Sequence, residues 1–321
     1  MNVLFSFFLL LCLLFSQASG NDNAQETVPL DAAHQSEGII DSSHRYLSGA
    51  LLYLPHTLDH FFADERTELE LNASTFRLTL SSIIRKGGEV DFDQTLRAKL
   101  IMPHSKERLR FSFESTPADI QSNQLEQQNV LVENPAGEPQ QSALLEAILK
   151  QTKSWRLSTD LGIKLHTPVD PFLRIRGSKA WHFAPWHVRY TQTLFNFKSS
   201  GAGARSVLDL EHTLDAKHLI RLSTSGTWWD ALQTYQWSQY ISLFKQLRDR
   251  RAIAYNATFN GDDRNGNRID NIIFDIRLRQ RLHREWIYVE LSPAISHLRS
   301  SGFKANGSFT LRLELLFGNN R

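Results

Sequence analysis

Trp155-Arg156-Leu157-Ser158-Thr159-Asp160-Leu161-Gly162-Ile163-Lys164-Leu165-His166 is the stretch whose reading decides the fold. Its odd positions are large and mostly apolar, and its even positions are small, polar or charged. A helix at 3.6 residues per turn would mix the two sets, whereas a strand sends successive side chains to opposite faces. The pattern returns where Ile272, Phe274, Ile276 and Leu278 alternate with Asp275, Arg277 and Arg279. It returns again where Phe309, Leu311, Leu313, Leu315 and Phe317 alternate with Thr310, Arg312 and Glu314. Such runs predict strands near 75–84, 91–102, 107–115, 154–166, 171–180, 186–198, 204–214, 218–229, 233–245, 250–260, 270–281, 286–296 and 308–317. An up-and-down barrel with both chain ends at one rim needs an even number of strands, and this set is odd. The run Phe172–Gly177, caught between Pro171 and Trp181, is the weakest. Removing it predicts about 12 strands, with 14 as the alternative.

Alternation leaves open whether the apolar face meets lipid or a second sheet. The polar face carries Arg156, Lys164, Arg174, Arg176, Arg189, Arg221, Arg277, Arg279, Arg281 and Arg312, with Arg77, Arg97, Lys99, Arg108 and Arg110 on earlier runs. Fewer acids oppose them, so this face must be hydrated or extensively paired. Aromatics gather near strand ends, as Trp155, Trp186, Trp228, Trp229, Trp286 and Phe317, where amphipathic rings suit the two lipid interfaces. Hydrophobic residues make up only 41% of the chain, and after residue 15 no apolar run reaches the roughly 18 residues of a membrane helix. A mature chain that enters a membrane must therefore do so as strands. The expected fold is all-β, an antiparallel up-and-down transmembrane β-barrel over residues 67–317. A soluble periplasmic sandwich with the apolar face as its core is the competing architecture.

Residues 1–20 read as a signal peptide: an apolar run from Val3 to Phe15, then Ser16-Gln17-Ala18-Ser19-Gly20, with cleavage expected after Gly20. The one cysteine, Cys12, falls inside it, which removes disulfides and thiolate metal sites from the mature chain. Residues 21–45 are polar and aperiodic and read as a flexible N-terminus. Over 46–66 the apolar set Tyr46, Leu47, Ala50, Leu51, Leu54, Leu58, Phe61 and Phe62 predicts an amphipathic helical segment broken at Pro55. Residues 116–153 predict a long rim loop, rich in Gln, Asn and Pro, that ends in a short helix through Leu144, Leu145, Ile148 and Leu149. Residues 318–321 form a C-terminal overhang.

With its leader, its alternating runs of about ten residues and Phe309-x-Leu311-x-Leu313-x-Leu315-x-Phe317 at its end, the chain resembles bacterial outer-membrane β-barrel proteins. That resemblance implies a Gram-negative outer-membrane location and a last strand read by the barrel-assembly machinery. Gly318-Asn319-Asn320-Arg321 after the aromatic depart from the usual terminus. The stretches Leu58-Asp59-His60-Phe61-Phe62, Thr167-Pro168-Val169-Asp170-Pro171-Phe172 and Leu282-His283-Arg284-Glu285-Trp286 are similar to a group of exported gammaproteobacterial proteins, from which no activity carries over.

No nucleophile elbow, zinc-binding His pair or phosphate-cradling glycine loop occurs. His212, His218 and Ser223 are the residues a membrane-embedded lipid-modifying enzyme would use, and their spacing fits no catalytic geometry. Asp263, Asn265 and Gly266 sketch a calcium loop, but Gly261 and Ile272 stand where its end ligands belong, so a turn at Asn265-Gly266 is expected instead. No metal or cofactor is expected, and a net charge of +2 gives no footprint for nucleic acid. The basic face would line the lumen and offer small anionic solutes a narrow pore. Alternatively those arginines pair with Asp160, Asp209, Glu211, Asp275 and Glu290 across strands and fill a structural barrel. The surrounding partner would be outer-membrane lipid.

Overall fold

The computed structural model describes residues 74–318, apart from 103–108, 115–140, 153, 166–167, 184–185, 216 and 267. The expected leader, flexible N-terminus and helical segment, and most of the long rim loop, lie outside the described residues. Within them the chain forms β1 Thr75–Arg85, β2 Val90–Ile101, β3 Leu109–Glu114, β4 Ser142–Gln151, β5 Trp155–Lys164, β6 Asp170–Phe183 and β7 Trp186–Phe197. It continues with β8 Gly201–Asp215, β9 His218–Trp229, β10 Thr234–Arg248, β11 Arg251–Asp262, β12 Arg268–Arg281, β13 Ile287–Leu298 and β14 Ala305–Gly318. Every strand pairs antiparallel with its neighbours in sequence, and β14 closes on β1 from Thr75↔Gly318 to Arg85↔Ser308. A closed ring gives every strand a partner on both sides, which is how a wall of strands meets its backbone hydrogen bonds without water.

The count is therefore 14, the alternative and not the favoured 12. The run around Phe172 is a full strand, β6, and the missing member is β4, where a helix was expected. Ser-Ala-Leu-Leu-Glu-Ala-Ile-Leu-Lys-Gln consists of good helix formers with apolar residues on both faces, so alternation is absent. Closure overrides that propensity, because β3 and β5 each need a partner between them. Leu145 and Leu149 point outward and are exposed, while Glu146 and Ile148 point inward and are buried.

Exposure sorts the two faces throughout. The exposed set is led by large apolar residues such as Leu161 (64%), Leu173, Leu194, Phe274, Ile276 and Ile295, and the buried set is dominated by Arg, Asp, Glu, Ser and Thr. A soluble protein does not coat itself in Leu, Ile and Phe and bury its arginines. The molecule is a transmembrane β-barrel with its greasy side outward. Ile276, midway along β12, should therefore resist charge: Ile276→Arg is expected to cost about 2–4 kcal/mol if it sits at the bilayer midplane. Unfolding by urea in detergent-free vesicles measures it, and a new arginine at the solvent-exposed His283, in the β12–β13 turn, should cost nothing comparable.

The first and last strand residues, Thr75 and Gly318, meet at one rim, here the terminal rim, where Asp215 and His218, and Arg248 and Arg251, bound tight turns. Asp215 closes the first of these by accepting the Lys217 and His218 amides at 2.7 and 2.9 Å. At the opposite, distal rim Gly266 takes the expected left-handed conformation, φ +68°. Its N–H donates to the Asp263 carbonyl.

Candidate functional site in the lumen

Register places all ten candidate basic residues on the inward face. Arg174 stands opposite Asp160, Arg176 opposite Ser158 and Thr193, Arg189 opposite Asp209, Arg221 opposite Glu211, and Arg279 opposite Glu290. Arg281 stands opposite Tyr288, and Arg312 opposite Glu290 from the other side. These contacts sort into three clusters around the wall.

Across β12, β13, β14 and β1, Arg279 donates to Glu314 at 2.6 and 3.3 Å and lies 3.7 Å from Glu290, with its guanidinium 4.5 Å from the Tyr288 ring centroid. Arg312 donates to Glu290 at 3.0 Å, and Arg77 lies 3.8 Å from Glu314. Arg277 donates to Asp275 at 3.2 Å, and Asp275 also accepts from Asn256, whose oxygen accepts from Tyr240 and Ser242. On β3–β6, Arg156 donates to Glu146 at 2.6 Å, Arg110 lies 3.7 Å from it, and Arg174 donates to Asp160 at 3.1 Å. On β7–β9, Arg221 donates to Glu211 at 2.8 Å and Ser223 to Asp209 at 2.5 Å, with Arg189 and Arg205 on neighbouring inward positions. Pairing is therefore extensive, as the filled-barrel reading expects. Yet in each cluster the arginines outnumber the carboxylates they share.

A feature that sequence reasoning missed lies between the second and third clusters. Phe172, Phe195, Phe197 and Trp229 pack together on the inward face, with Trp229 to Phe195 at 4.7 Å between ring centroids. Trp229 thus departs from the lipid-interface position expected for it: with 6% of its surface exposed it belongs to the lumen wall. The Trp228-Trp229 pair hides this, since two adjacent tryptophans on a strand must face opposite ways and only register says which. Trp228, at 41%, is the outward one. Small residues make room for these rings. A Cβ built on Gly203 would lie 2.3 Å from Phe195 and one on Gly162 2.4 Å from Phe172. Lys164 completes the patch, its ammonium 4.3 Å from the Phe197 ring centre.

The other aromatics stay outside or at the terminal rim. Trp155 is half exposed, with Lys179 4.8 Å over its ring, and Trp186 meets His212 edge-on at 4.3 Å. Trp286 stacks on Phe317 at 5.3 Å, and Phe317 meets Phe76 at 5.6 Å, so the final strand is clamped to both its neighbours. His212, His218 and Ser223 are not brought together: His212 faces outward against Trp186, His218 pairs with Asp215 in a turn, and Ser223 bonds Asp209 inside. Among the described residues no cluster of His, Cys, Asp and Glu could hold a metal ion.

Fold and lumen together define a membrane β-barrel with an apolar exterior and a charged interior. No family model matches the chain, and no curated protein does. Among solved structures it is similar to a bacterial polysaccharide outer membrane secretin, at 10% identity and TM-score 0.48, covering 76% of this chain and 98% of that one. It is also similar to a loop-deletion form of OmpT, an outer membrane protein of Vibrio cholerae, at 8% identity and TM-score 0.45, covering 76% and 98%. The outer membrane channel DcaP of Acinetobacter baumannii matches at 7% identity and TM-score 0.44, covering 76% and 96%. At these identities the likeness concerns the barrel fold.

Proposed function

We propose that the chain is an outer-membrane channel that passes small anions through a narrow, positively charged lumen. The observation that carries this reading is the surplus of arginine in each ion-pair cluster: Arg77, Arg277, Arg279 and Arg312 around Asp275, Glu290 and Glu314; Arg110, Arg156 and Arg174 around Glu146 and Asp160; Arg189, Arg205 and Arg221 around Asp209 and Glu211. A wall that only needed neutral filling would match each arginine with an acid. A net positive charge in these clusters, counted among the described residues, would instead raise the local concentration of anions between low-dielectric walls. Outer-membrane lipid is the surrounding partner, and the clamped β14, with Phe317 next to its last residue, is what the barrel-assembly machinery would receive.

Reconstitution of the full chain in planar bilayers tests the reading. Under a potassium chloride gradient the reversal potential should take the sign of chloride permeation. Absence of single-channel steps, with the protein shown to be folded by its heat-modifiable gel mobility, would defeat it in favour of a sealed structural barrel.

A further inference from the structure

The inward wall is not uniformly charged. From β9 to β12, toward the distal rim, most of its side chains are neutral donors and acceptors, namely Ser225 and Thr227 on β9, Gln236 and Ser238 on β10, Thr258 and Asn260 on β11, and Asn271 on β12, with Ile273 opposite Thr258 and Asp262 opposite Gln236. Register puts them side by side, Gln236 opposite Thr227, Ser238 opposite both Ser225 and Asn260, and Asn260 opposite Asn271. Directly opposed residues on one face bring their Cβ atoms to about 4.5–5.5 Å, near enough for a single small molecule to touch several. A backbone irregularity at Asn260/Gly261 re-aims this end of the wall.

Three of these amides are unfinished. Asn271 is 5% exposed, yet neither its Oδ1 nor its Nδ2 has a hydrogen-bond partner; the same holds for Asn260 Oδ1 and Gln236 Oε1. Leaving a buried amide atom unmet costs about 1–3 kcal/mol, and native interiors rarely tolerate a cluster of them without a purpose. The nearby acids do not supply the missing bonds, being engaged elsewhere. Asp262 pairs with Arg264 at 2.7 Å, Asp263 accepts from Thr234 at 2.7 Å, and Asp270 accepts from Arg299 at 3.1 Å. Next to the amides, Arg205 stands opposite Thr227 on the inward face.

We infer that this wall is a binding track for hydroxyl-rich anions, with sugar acids as the chemical class. Amides that can donate and accept suit hydroxyls, which do both, and the arginine alongside suits a carboxylate. A simple aliphatic anion would meet only the arginine's charge and leave the amides bare. A neutral sugar would do the reverse. The inference rests on the channel reading and refines it.

Block of the chloride current by added solutes separates the two. With the full chain in a planar bilayer, glucuronate should interrupt the current at a concentration about tenfold below that needed by hexanoate or glucose, a difference of about 1.4 kcal/mol in binding. Asn271→Leu together with Asn260→Leu should bring the glucuronate-to-hexanoate ratio to about one. Because apolar replacements could impair assembly, Asn271→Asp is the second variant; nearly isosteric and anionic, it should weaken glucuronate block more than glucose block. Equal block by glucuronate and hexanoate in the unaltered protein, with chloride current present, overturns the sugar-acid track and leaves the channel standing. No current at all removes both.

Discussion

Arg279→Ser is expected to destabilise the folded barrel by about 3–5 kcal/mol, the usual consequence of breaking a buried ion pair from one side. Arg279 forks onto Glu314 through both terminal nitrogens and reaches Glu290 as well, so its loss takes a cation from two buried carboxylates at once. Glu314 would retain only the longer approach of Arg77, at 3.8 Å, and Glu290 would retain Arg312. Arg279→Lys keeps the charge but not the planar fork and should cost less. Arg279→Met combined with Glu314→Leu should recover part of the loss, because the double replacement removes the stranded charge on Glu314 together with its partner. Urea unfolding of the four proteins measures the series. If Arg279→Ser and the double variant unfold at the same urea concentration as the unaltered chain, the cluster contributes nothing and the lumen is wet enough to solvate each carboxylate separately. The same variant bears on transport. Removing one cation from a cluster with a surplus of one leaves it neutral, so the reversal potential should move toward the unselective value.

What sequence could reveal followed from where alternation survives. Strands β9 and β12 were legible almost residue by residue, because their inward positions are polar and their outward ones apolar, as in Arg221, Ser223 and Ser225 against Ile220 and Leu222. Strand β4 is not, since Leu144, packed against the Phe172 cluster, and the buried Ile148 both face inward and erase the contrast that marks a strand. The same aromatic patch explains the misplaced Trp229. Where a lumen wall turns apolar, inside and outside carry the same residue types, and only register separates them. The odd total of alternating runs reflects β4, which lacks alternation, and not a superfluous β6. That the arginines share one face is readable from their spacing. Which acids they reach was not, because partners such as Arg279 and Glu314 lie two strands apart. The unmet amides were equally invisible, since Asn260 and Asn271 sit in ordinary polar stretches and meet only through register.

Gly203→Val should abolish the folded form outright, and it discriminates between two views of the aromatic patch. If the rings are loosely held, Phe195 can swing aside and the new side chain will fit. The geometry says otherwise: a Cβ at 203 would lie 2.3 and 2.5 Å from Phe195 and 2.6 Å from the Trp228 carbonyl oxygen. A ring can rotate, but that carbonyl belongs to the β8–β9 ladder and moves only if the ladder breaks. Overpacking usually costs about 1–3 kcal/mol where side chains alone must yield, and a backbone clash exceeds that range. Phe195→Ala is then the informative companion. Alone it should leave a heat-modifiable barrel weakened by about 3–5 kcal/mol, the loss typical of a large core ring. Combined with Gly203→Val it should fail to rescue folding, because the carbonyl remains. Restoration of the fast-migrating folded band by Phe195→Ala would instead show that the ring was the sole obstacle, and the close approach of β8 to β9 at Gly203 would lose its structural role.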